Sequence, residues 1–504
     1  MSKKRQVVFI MTDTQRIDML GCYGNEHMVT PNLDRLAQEG IRYDKAYTTQ
    51  PVCQPARSAI FTGSYPHSCA GWSNCMGLSD NVPTIGQRLS DAGIHTAYVG
   101  KWHLDGGDYF GLGRCPKGWD EEYWYDMRCF LDELTPEERF RIRQMESIEK
   151  YNITEDMTYG HRCADRAVDF IEKHRDEDYF LVVSFDEPHG PHICPKKYVD
   201  IYKDYEIPVA ENMKDTLEDK PEHHRIWAGE EYLKACREDF SLKPKEFLGC
   251  NTFADYEIGR VIEAAENQED APVIIYTSDH GDMMYAHSLT GKGPALYEEI
   301  VHIPLIIKGI GQGVDNHPVS HINLAPTIFD LFGVPVPKMF EGKSIWEEVQ
   351  NPEVRCNDYV FMEFGRYEVD HDGFGGYQPL RGAYDGRYKM VLNLMTSDEL
   401  YDLETDPQEM VNLINMPEYD EVKKRLHKAI LDNMYETRDP FRGYYWEDRP
   451  WDRITEFKTW DSRLMTRQRE NEEYEPRQLD YGTGLPITQA VRKKGESDAK
   501  FAKK

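Results

Sequence analysis

The chain has 504 residues, with 60 Lys and Arg against 89 Asp and Glu, a formal charge of −29. That balance excludes a nucleic-acid binder, whose phosphate contacts need basic surface, and it means that an anionic substrate requires a locally positive pocket. The eleven cysteines are odd in number and lack zinc-type pairing, so they read as reduced thiols.

Cores rarely grow past about 250–300 residues before splitting. One large α/β domain with a smaller one behind it is therefore expected, with residues 1–370 as the catalytic domain, 371–440 as a C-terminal α+β subdomain and 441–504 as an aromatic, charged extension. The apolar run near the N-terminus is shorter than a signal peptide needs, and no later run approaches the ~20 residues of a membrane span. No membrane partner is expected, and the cytoplasm is the expected compartment.

In chain order, Val7-Val-Phe-Ile-Met11 predicts a buried parallel strand ending at Asp13. Open α/β sheets bind ligands at that carboxyl edge. Thr30-Pro31 starts a helix that Gly40 ends. In Pro51-Val-Cys-Gln-Pro-Ala-Arg57, Pro55 suits the first helical position, where its missing N–H costs nothing, so Cys53 is expected at a helix entrance. Unpaired amide donors and the positive end of the helix dipole there suit a bound oxyanion.

A helix over Thr84–Ala92 and a strand over His95–Val99 put Lys101 and His103 just past a strand end. Residues 105 to 159 are aromatic, charged and without a period, an insertion over the sheet edge. Helix Ala164–His174 leads to strand Tyr179–Phe185 and a turn carrying His189 and His192. Residues 196–245 read as a second surface excursion. Helix Phe247–Glu266 then precedes strand Pro272–Tyr276, which delivers Asp279 and His280. Ile303–Ile307 is a further strand and Leu324–Phe332 a helix. Strands alternating with helices imply a large, mixed, mainly parallel sheet covered on both faces. Beyond it, Tyr384–Leu392 and Glu399–Leu403 predict a small antiparallel sheet, and Glu421–Glu436 a helix.

The polar groups at these strand ends are Asp13, Cys53 with Arg57, Lys101 with His103, His189, Asp279 with His280, and Lys292. Taken singly, Asp13 also reads as a helix cap, the histidines as surface imidazoles and Lys292 as a solvated charge. Gathered along one sheet edge they are hard to explain as packing.

Cys53-x-Pro55-x-Arg57 resembles the signature at which sulfatases convert cysteine to formylglycine. The words Met11-Thr-Asp13, Pro31-Asn-Leu-Asp-Arg-Leu36, Gly100-Lys-Trp-His103, Pro188-His189, Ser278-Asp-His-Gly281, Gly291-Lys-Gly293 and Glu399-Leu-Tyr-Asp-Leu403 follow in the sulfatase order. The resemblance is to formylglycine-dependent sulfatases of the alkaline phosphatase superfamily. It implies an alkaline phosphatase-like fold and hydrolysis of a sulfate monoester. It also implies a divalent cation, Ca²⁺ before Mg²⁺ or Mn²⁺, held by Asp13, Asp279, His280 and the oxidised side chain of Cys53.

In that reading Arg57 supports the nucleophile, Lys101 and Lys292 neutralise sulfate oxygens, His189 protonates the leaving alcohol and His103 takes a proton during sulfate release. His192 competes for the acid role, and His287 near Lys292 is a weaker candidate. The implied partners are a small organic sulfate, with a sulfated saccharide preferred, and a formylglycine-generating maturase; the aromatic tail points to a homo-oligomer.

The chain departs from the family pattern in three places. Thr14 stands where a second aspartate is usual, so Gln15 is expected to supply an amide oxygen to the metal. Ala56 replaces a serine after the proline, and Ser64 replaces the arginine of Thr-Gly-Arg. Two alternatives stay open, a phosphonate monoester or phosphodiester hydrolase of the same superfamily and a catalytically silent binder of sulfated glycans.

Overall fold

The computed structural model describes residues 4–453 except 107–108, 209, 230–243, 352 and 369–375. The expected domain boundary at 370–371 and most of the expected C-terminal extension lie outside the described residues.

The strands are β1 (Gln6–Asp13), β2 (Ile41–Tyr43), β3 (Ala46–Tyr47), β4 (His95–Gly100), β5 (Tyr179–Pro188), β6 (Val273–Ser278), β7 (Leu305–Lys308), β8 (Gly313–Asp315), β9 (Val319–Ser320), β10 (Val360–Arg366), β11 (Tyr377–Tyr384), β12 (Tyr388–Asn393) and β13 (Glu399–Asp402). The longer helices are α1 (Pro31–Glu39), α2 (Cys53–Thr62), α3 (Ile85–Asp91), α4 (Tyr159–Lys173), α5 (Lys245–Glu266), α6 (Leu324–Phe332) and α7 (Asp420–Glu436).

A seven-stranded sheet has the order β4-β5-β1-β6-β7-β2-β8. β4, β5, β1 and β6 run parallel, while β7 pairs antiparallel with both β6 and β2. The sheet is mainly parallel, as the alternating pattern predicts. Every residue of β1 is buried, which places this strand in the middle with cover on both faces.

Its period-2 alternation divides the core in two. Val8 and Ile10 face α1, α4 and α5 through Leu33, Phe170, Ile258 and Val261. Val7, Phe9 and Met11 face α2, α3 and α6 through Ile60, Phe61, Leu89 and Phe329. Helix α2 is therefore held against the sheet by its apolar residues, which fixes where its first turn points.

The four-stranded antiparallel sheet β10-β11-β12-β13 packs beside α7. The stretch expected as one strand from Tyr384 to Leu392 is two, broken by a turn at Gly386, whose φ of +102° suits glycine. The described part of 196–245 is likewise no loose excursion. It buries Met213, Leu217, His223 and His224, anchors too irregularly spaced to give a helical period.

From Glu447 the chain forms a second unit, of which the described residues contain a turn closed between Arg449 and Asp452. Among the described residues no helix is long and apolar enough to cross a membrane, and all ten described cysteines are free thiols.

Candidate active site

Helix α2 begins at Cys53, two residues earlier than the proline suggested, with Val52 as its extended N-cap. Pro55 still lies in the first turn, whose N–H groups have no intrahelical acceptor. Cys53 and Arg57 are four residues apart and so share a helix face. That face looks onto the carboxyl ends of β1, β4, β5 and β6. Gly63, at φ +66°, ends the helix by donating its N–H to Ala59 O.

Arg57 has no exposed surface and is bonded on every side. Its Nε donates to Asp279 Oδ2 at 3.0 Å and Nη2 to Asp13 Oδ2 at 3.2 Å, while Nη1 donates to Lys101 O at 2.7 Å and Ser184 Oγ at 2.8 Å. One guanidinium thus joins four strands, β1, β4, β5 and β6, to α2. Lys101 Nζ stands 2.7 Å from Asp13 Oδ2 and 3.0 Å from Asp186 Oδ1. It reaches them because Gly100, at φ +114°, turns the chain where a Cβ would lie 2.0 Å from Ser184 O.

Cys53 Sγ is the point on which the other groups converge. Lys292 Nζ donates to it at 3.0 Å, His280 Nε2 lies 3.2 Å away and Asp13 Oδ1 3.7 Å away. His103, at φ +55°, is buried and stacks edge-on against Tyr109. Burial and the Asp13 carboxylate push the thiol up, but Lys292, Lys101 and His280 overcome them and hold it well below its ordinary value. The sulfur thus marks a place built for a negatively charged atom.

The same place suits a cation. Ligating atoms of Asp13, Cys53, Asp279 and His280 lie within 4.8 Å of one another, and all four residues are buried. His280 Nδ1 donates to Gly281 O at 2.8 Å, so its Nε2 presents a lone pair to the cluster. Burial, and then the facing Asp13 carboxylate, push Asp279 up to about 6 even beside Arg57. Two carboxylates, an imidazole and residue 53 gathered in one buried cluster form a donor set that fits a divalent cation.

The sign of the pH dependence follows. A carboxyl with a raised pKa takes up a proton below about 6, and a cation must displace that proton to bind. The apparent affinity for a divalent cation should fall as pH drops through the raised range of the His280 imidazole and then past Asp279 near 6, about tenfold per unit for each proton displaced. Metal titrations of activity across this range would measure it, and an affinity independent of pH would contradict the assignment of Asp279 as a ligand.

Thr14 and Gln15 behave differently from the expectation. Thr14 Oγ1 donates to Asp13 Oδ1 at 2.7 Å and its backbone N–H to Asp279 Oδ1 at 3.2 Å, so it orients the two carboxylates. The Gln15 carbonyl oxygen accepts from Thr12 and Tyr276, and its amide donates to Asn251 Oδ1 at 2.9 Å. Gln15 is bound into the core beneath the site and does not supply a metal ligand.

His189 stands at the end of β5. Its Nδ1 lies 2.9 Å from Gly190 O and 3.0 Å from Tyr109 OH, and the tyrosine hydroxyl donates to Asp186 Oδ1 at 2.5 Å. The Nδ1 proton is thereby committed, leaving Nε2 for exchange with a substrate. His192 is tied at 2.6 Å to Pro188 O and packs edge-on against Phe247. His287 is bound 2.7 Å from Asp215 and stacked on Tyr297.

The structure thus brings Asp13, Cys53, Arg57, Lys101, His103, Asp279, His280 and Lys292 into one buried network, with His189 linked to it through Tyr109, Asp186 and Lys101. Sequence reasoning passed over Asp186, Ser184 and the role of Tyr109. Asp186 follows directly on the predicted strand Tyr179–Phe185, and that position past a strand end was the available signal. Trp119 and Trp124 pack in an aromatic cluster with Tyr98 and Trp102.

The chain is similar to known proteins. Residues 5–334 match the Sulfatase family, and residues 292–436 match the C-terminal region of N-sulphoglucosamine sulphohydrolase. The chain is 44% identical over 500 residues to the sulfatase YidJ of Escherichia coli strain K12, covering 97% of this chain and 98% of that protein. It is 28% identical to the arylsulfatase of Clostridium perfringens, covering 86% of this chain and 94% of the other. A solved protein in complex with its substrate, D-glucosamine-2-N,6-O-disulfate, shares the fold at a TM-score of 0.71 and 22% identity, over 87% of this chain and 99% of its own. With the family matched along most of its length and Cys53 lodged among the carboxylates, lysines and imidazoles described above, this chain belongs to the sulfatase family and is a sulfuric ester hydrolase.

Proposed function

We propose that the protein hydrolyses sulfate monoesters of sugars after a maturase has oxidised Cys53 to formylglycine, with Ca²⁺ as the bound cation and Mg²⁺ or Mn²⁺ as its competitors. The observation that carries this reading is the convergence of Lys292, His280 and Asp13 on the Cys53 sulfur. That sulfur stands in for the oxygen of the matured residue.

Hydrated formylglycine supplies a geminal diol, one hydroxyl to attack sulfur and a second whose deprotonation expels sulfate. A cation held by Asp13, Asp279, His280 and residue 53 supplies Lewis-acid polarisation. The chain's own groups do the rest. Lys101 and Lys292 place two ammonium groups where the sulfate oxygens must lie, and their burial makes the attraction stronger than in water. Arg57 holds Asp13 and Asp279 in place from behind.

His189 gives its Nε2 proton to the oxygen that leaves sulfur, its ring held in place through Nδ1 by Tyr109 OH and Gly190 O. His103 takes the proton of the second hydroxyl. Burial, and then Lys101, hold this imidazole below its ordinary value, which keeps it neutral and able to accept. The sulfated glucosamine bound by the structural relative supports a saccharide as the alcohol half of the ester.

The test is sulfate release from an aryl sulfate set against hydrolysis of the matching aryl phosphonate monoester. A preference for the sulfate by at least about 10²-fold in kcat/KM is expected. A comparable preference for the phosphonate would overturn the assignment, and no turnover by protein with matured Cys53 would leave only a binding protein.

A further inference from the structure

The outermost strand of the seven-stranded sheet, β8, ends at Asp315, four strands from β1 and so about 19 Å from it at ordinary strand spacing. Three side chains meet there that the steps above do not use. Ligating atoms of Asp315, His317 and Glu348 lie within 4.8 Å of one another. Asp315 and His317 stand on either side of Asn316, and Glu348 reaches them from the short helix Trp346–Gln350.

His317 Nδ1 stands 2.7 Å from Glu348 Oε1 and 3.1 Å from Asp315 Oδ1. Neither contact has the direction of a hydrogen bond, so Nδ1 and Oε1 are both buried without a hydrogen-bond partner. Glu348 is only 1% exposed, and its other oxygen accepts from Cys356 N at 3.2 Å. A buried carboxylate oxygen with no donor is costly and calls for a positive ligand. Tyr43 OH is a further buried atom without a hydrogen-bond partner, and burial, then the charges of Asp315, Glu348 and Cys356, push it up. The other imidazoles that meet carboxylates differ. The carboxylate contacts of His67 and His95 are hydrogen bonds, and the cluster of His287, Glu299 and Glu409 has Lys389 at 2.7 Å from Glu409. Among the described residues no lysine or arginine is ion-paired with Asp315 or Glu348. Contacts of 2.7 and 3.1 Å subtend about 80° and 95° at an ion about 2.1 Å from each atom, close to the right angles between neighbouring ligands of one metal.

We propose that Asp315, His317 and Glu348 form a second cation site, separate from the Cys53 cluster, which takes a first-row transition-metal dication of the zinc type. The imidazole selects against Ca²⁺ and Mg²⁺, which prefer shells of oxygen alone, and the two carboxylates supply the charge. The Cys356 thiol beside Glu348 keeps its proton, since burial and then that carboxylate push it up to about 12. The protein therefore offers three ligands and leaves the rest of the shell to water. His317 is 35% exposed while Glu348 is buried, so the ion enters from solvent at the imidazole and seats against the deep carboxylate. Once bound, it ties the edge strand β8 to the 346–350 helix. The inference does not depend on the substrate of the Cys53 site.

The experiment is calorimetry of Zn²⁺ binding to chelator-stripped, full-length protein with Ca²⁺ in excess. It uses the Cys53→Ala, Asp279→Asn double variant, which removes two ligands of the Cys53 cluster, alone and with His317→Ala or Glu348→Gln added. Each protein is also melted with and without Zn²⁺. The double variant should bind one equivalent of Zn²⁺, and either added substitution should weaken that binding by at least about 100-fold. Zn²⁺ should raise the melting temperature of the double variant and lose that effect when His317→Ala is added. Glu348→Gln keeps the side-chain volume and decides the matter if the protein with His317→Ala does not fold. No Zn²⁺ binding by the double variant in excess Ca²⁺, or binding that stays within about threefold after both substitutions, overturns the inference. Binding of Ca²⁺ in place of Zn²⁺ at these residues overturns the metal class assigned here.

Discussion

Cys53→Ala should lower sulfate release by at least about 10⁴-fold in kcat/KM and leave the fold intact. The two effects separate because the sulfur contributes little to packing and almost everything to the chemistry. Its neighbours are polar groups, Lys292 Nζ at 3.0 Å, His280 Nε2 at 3.2 Å and Asp13 Oδ1 at 3.7 Å. The core beneath it is built by other residues of α2, Ile60 and Phe61, so the loss of one buried atom should cost only about 1 kcal/mol. The remaining groups cannot replace the nucleophile, since Asp13 and Asp186 still hold Lys101 as an ammonium ion and Asp13 still favours the charged form of Lys292. Protein matured in its native host should also yield a peptide about 18 Da lighter than the unmodified thiol peptide. Activity in Cys53→Ala within tenfold of wild type, or an unmodified thiol in fully active wild type, would dispose of the formylglycine assignment.

How much of this was legible beforehand depended on the range of the interaction. Val7–Met11 announces a strand through five apolar residues in a row, and the end of such a strand is where a ligand group belongs, so Asp13 followed directly. Cys53 and Arg57 share a helix face by spacing alone. Lys101, His103, Asp279 and His280 lie within four residues of a predicted strand end, close enough for the sequence to place them along one edge.

What it did not give was the wiring across that edge. Arg57 meets Asp13 and Asp279, 44 and 222 residues away, and no local pattern encodes such a pairing. Asp186 and Tyr109 escaped for the same reason, because the phenol comes from an aperiodic insertion and gains meaning only where it touches His189. Gln15 failed in the opposite direction. An amide next to a metal ligand invites a coordinating role, but Tyr276 and Asn251 from distant strands and helices claim its polar atoms first.

Arg57→Ala carries the largest expected cost in stability, about 3–5 kcal/mol, because it leaves buried carboxylates without their counter-charge. The loss falls unequally. Asp13 keeps Lys101 at 2.7 Å, whereas Asp279 retains only two backbone N–H donors, from Thr14 and His280, and the facing imidazole. Asp279 is already pushed up to about 6 with Arg57 in place, and without it the carboxyl must rise further. A folded-state carboxyl raised above its unfolded value binds more protons in the native state, so stability falls as pH rises through that interval. The deficit of the variant relative to wild type should therefore be larger at about pH 8 than at about pH 5 when both are melted in chelator. A divalent cation can take over the neutralising charge, and adding one should raise the melting temperature of Arg57→Ala by more than that of wild type. Arg57→Lys should recover less than half of the loss, since a single ammonium cannot reach Asp13, Asp279, Ser184 and the Lys101 carbonyl together. Melting curves of the three proteins that coincide in chelator at both pH values would show that Arg57 is not the counter-charge of this carboxylate pair, and the electrostatic account of the metal site would fail with it.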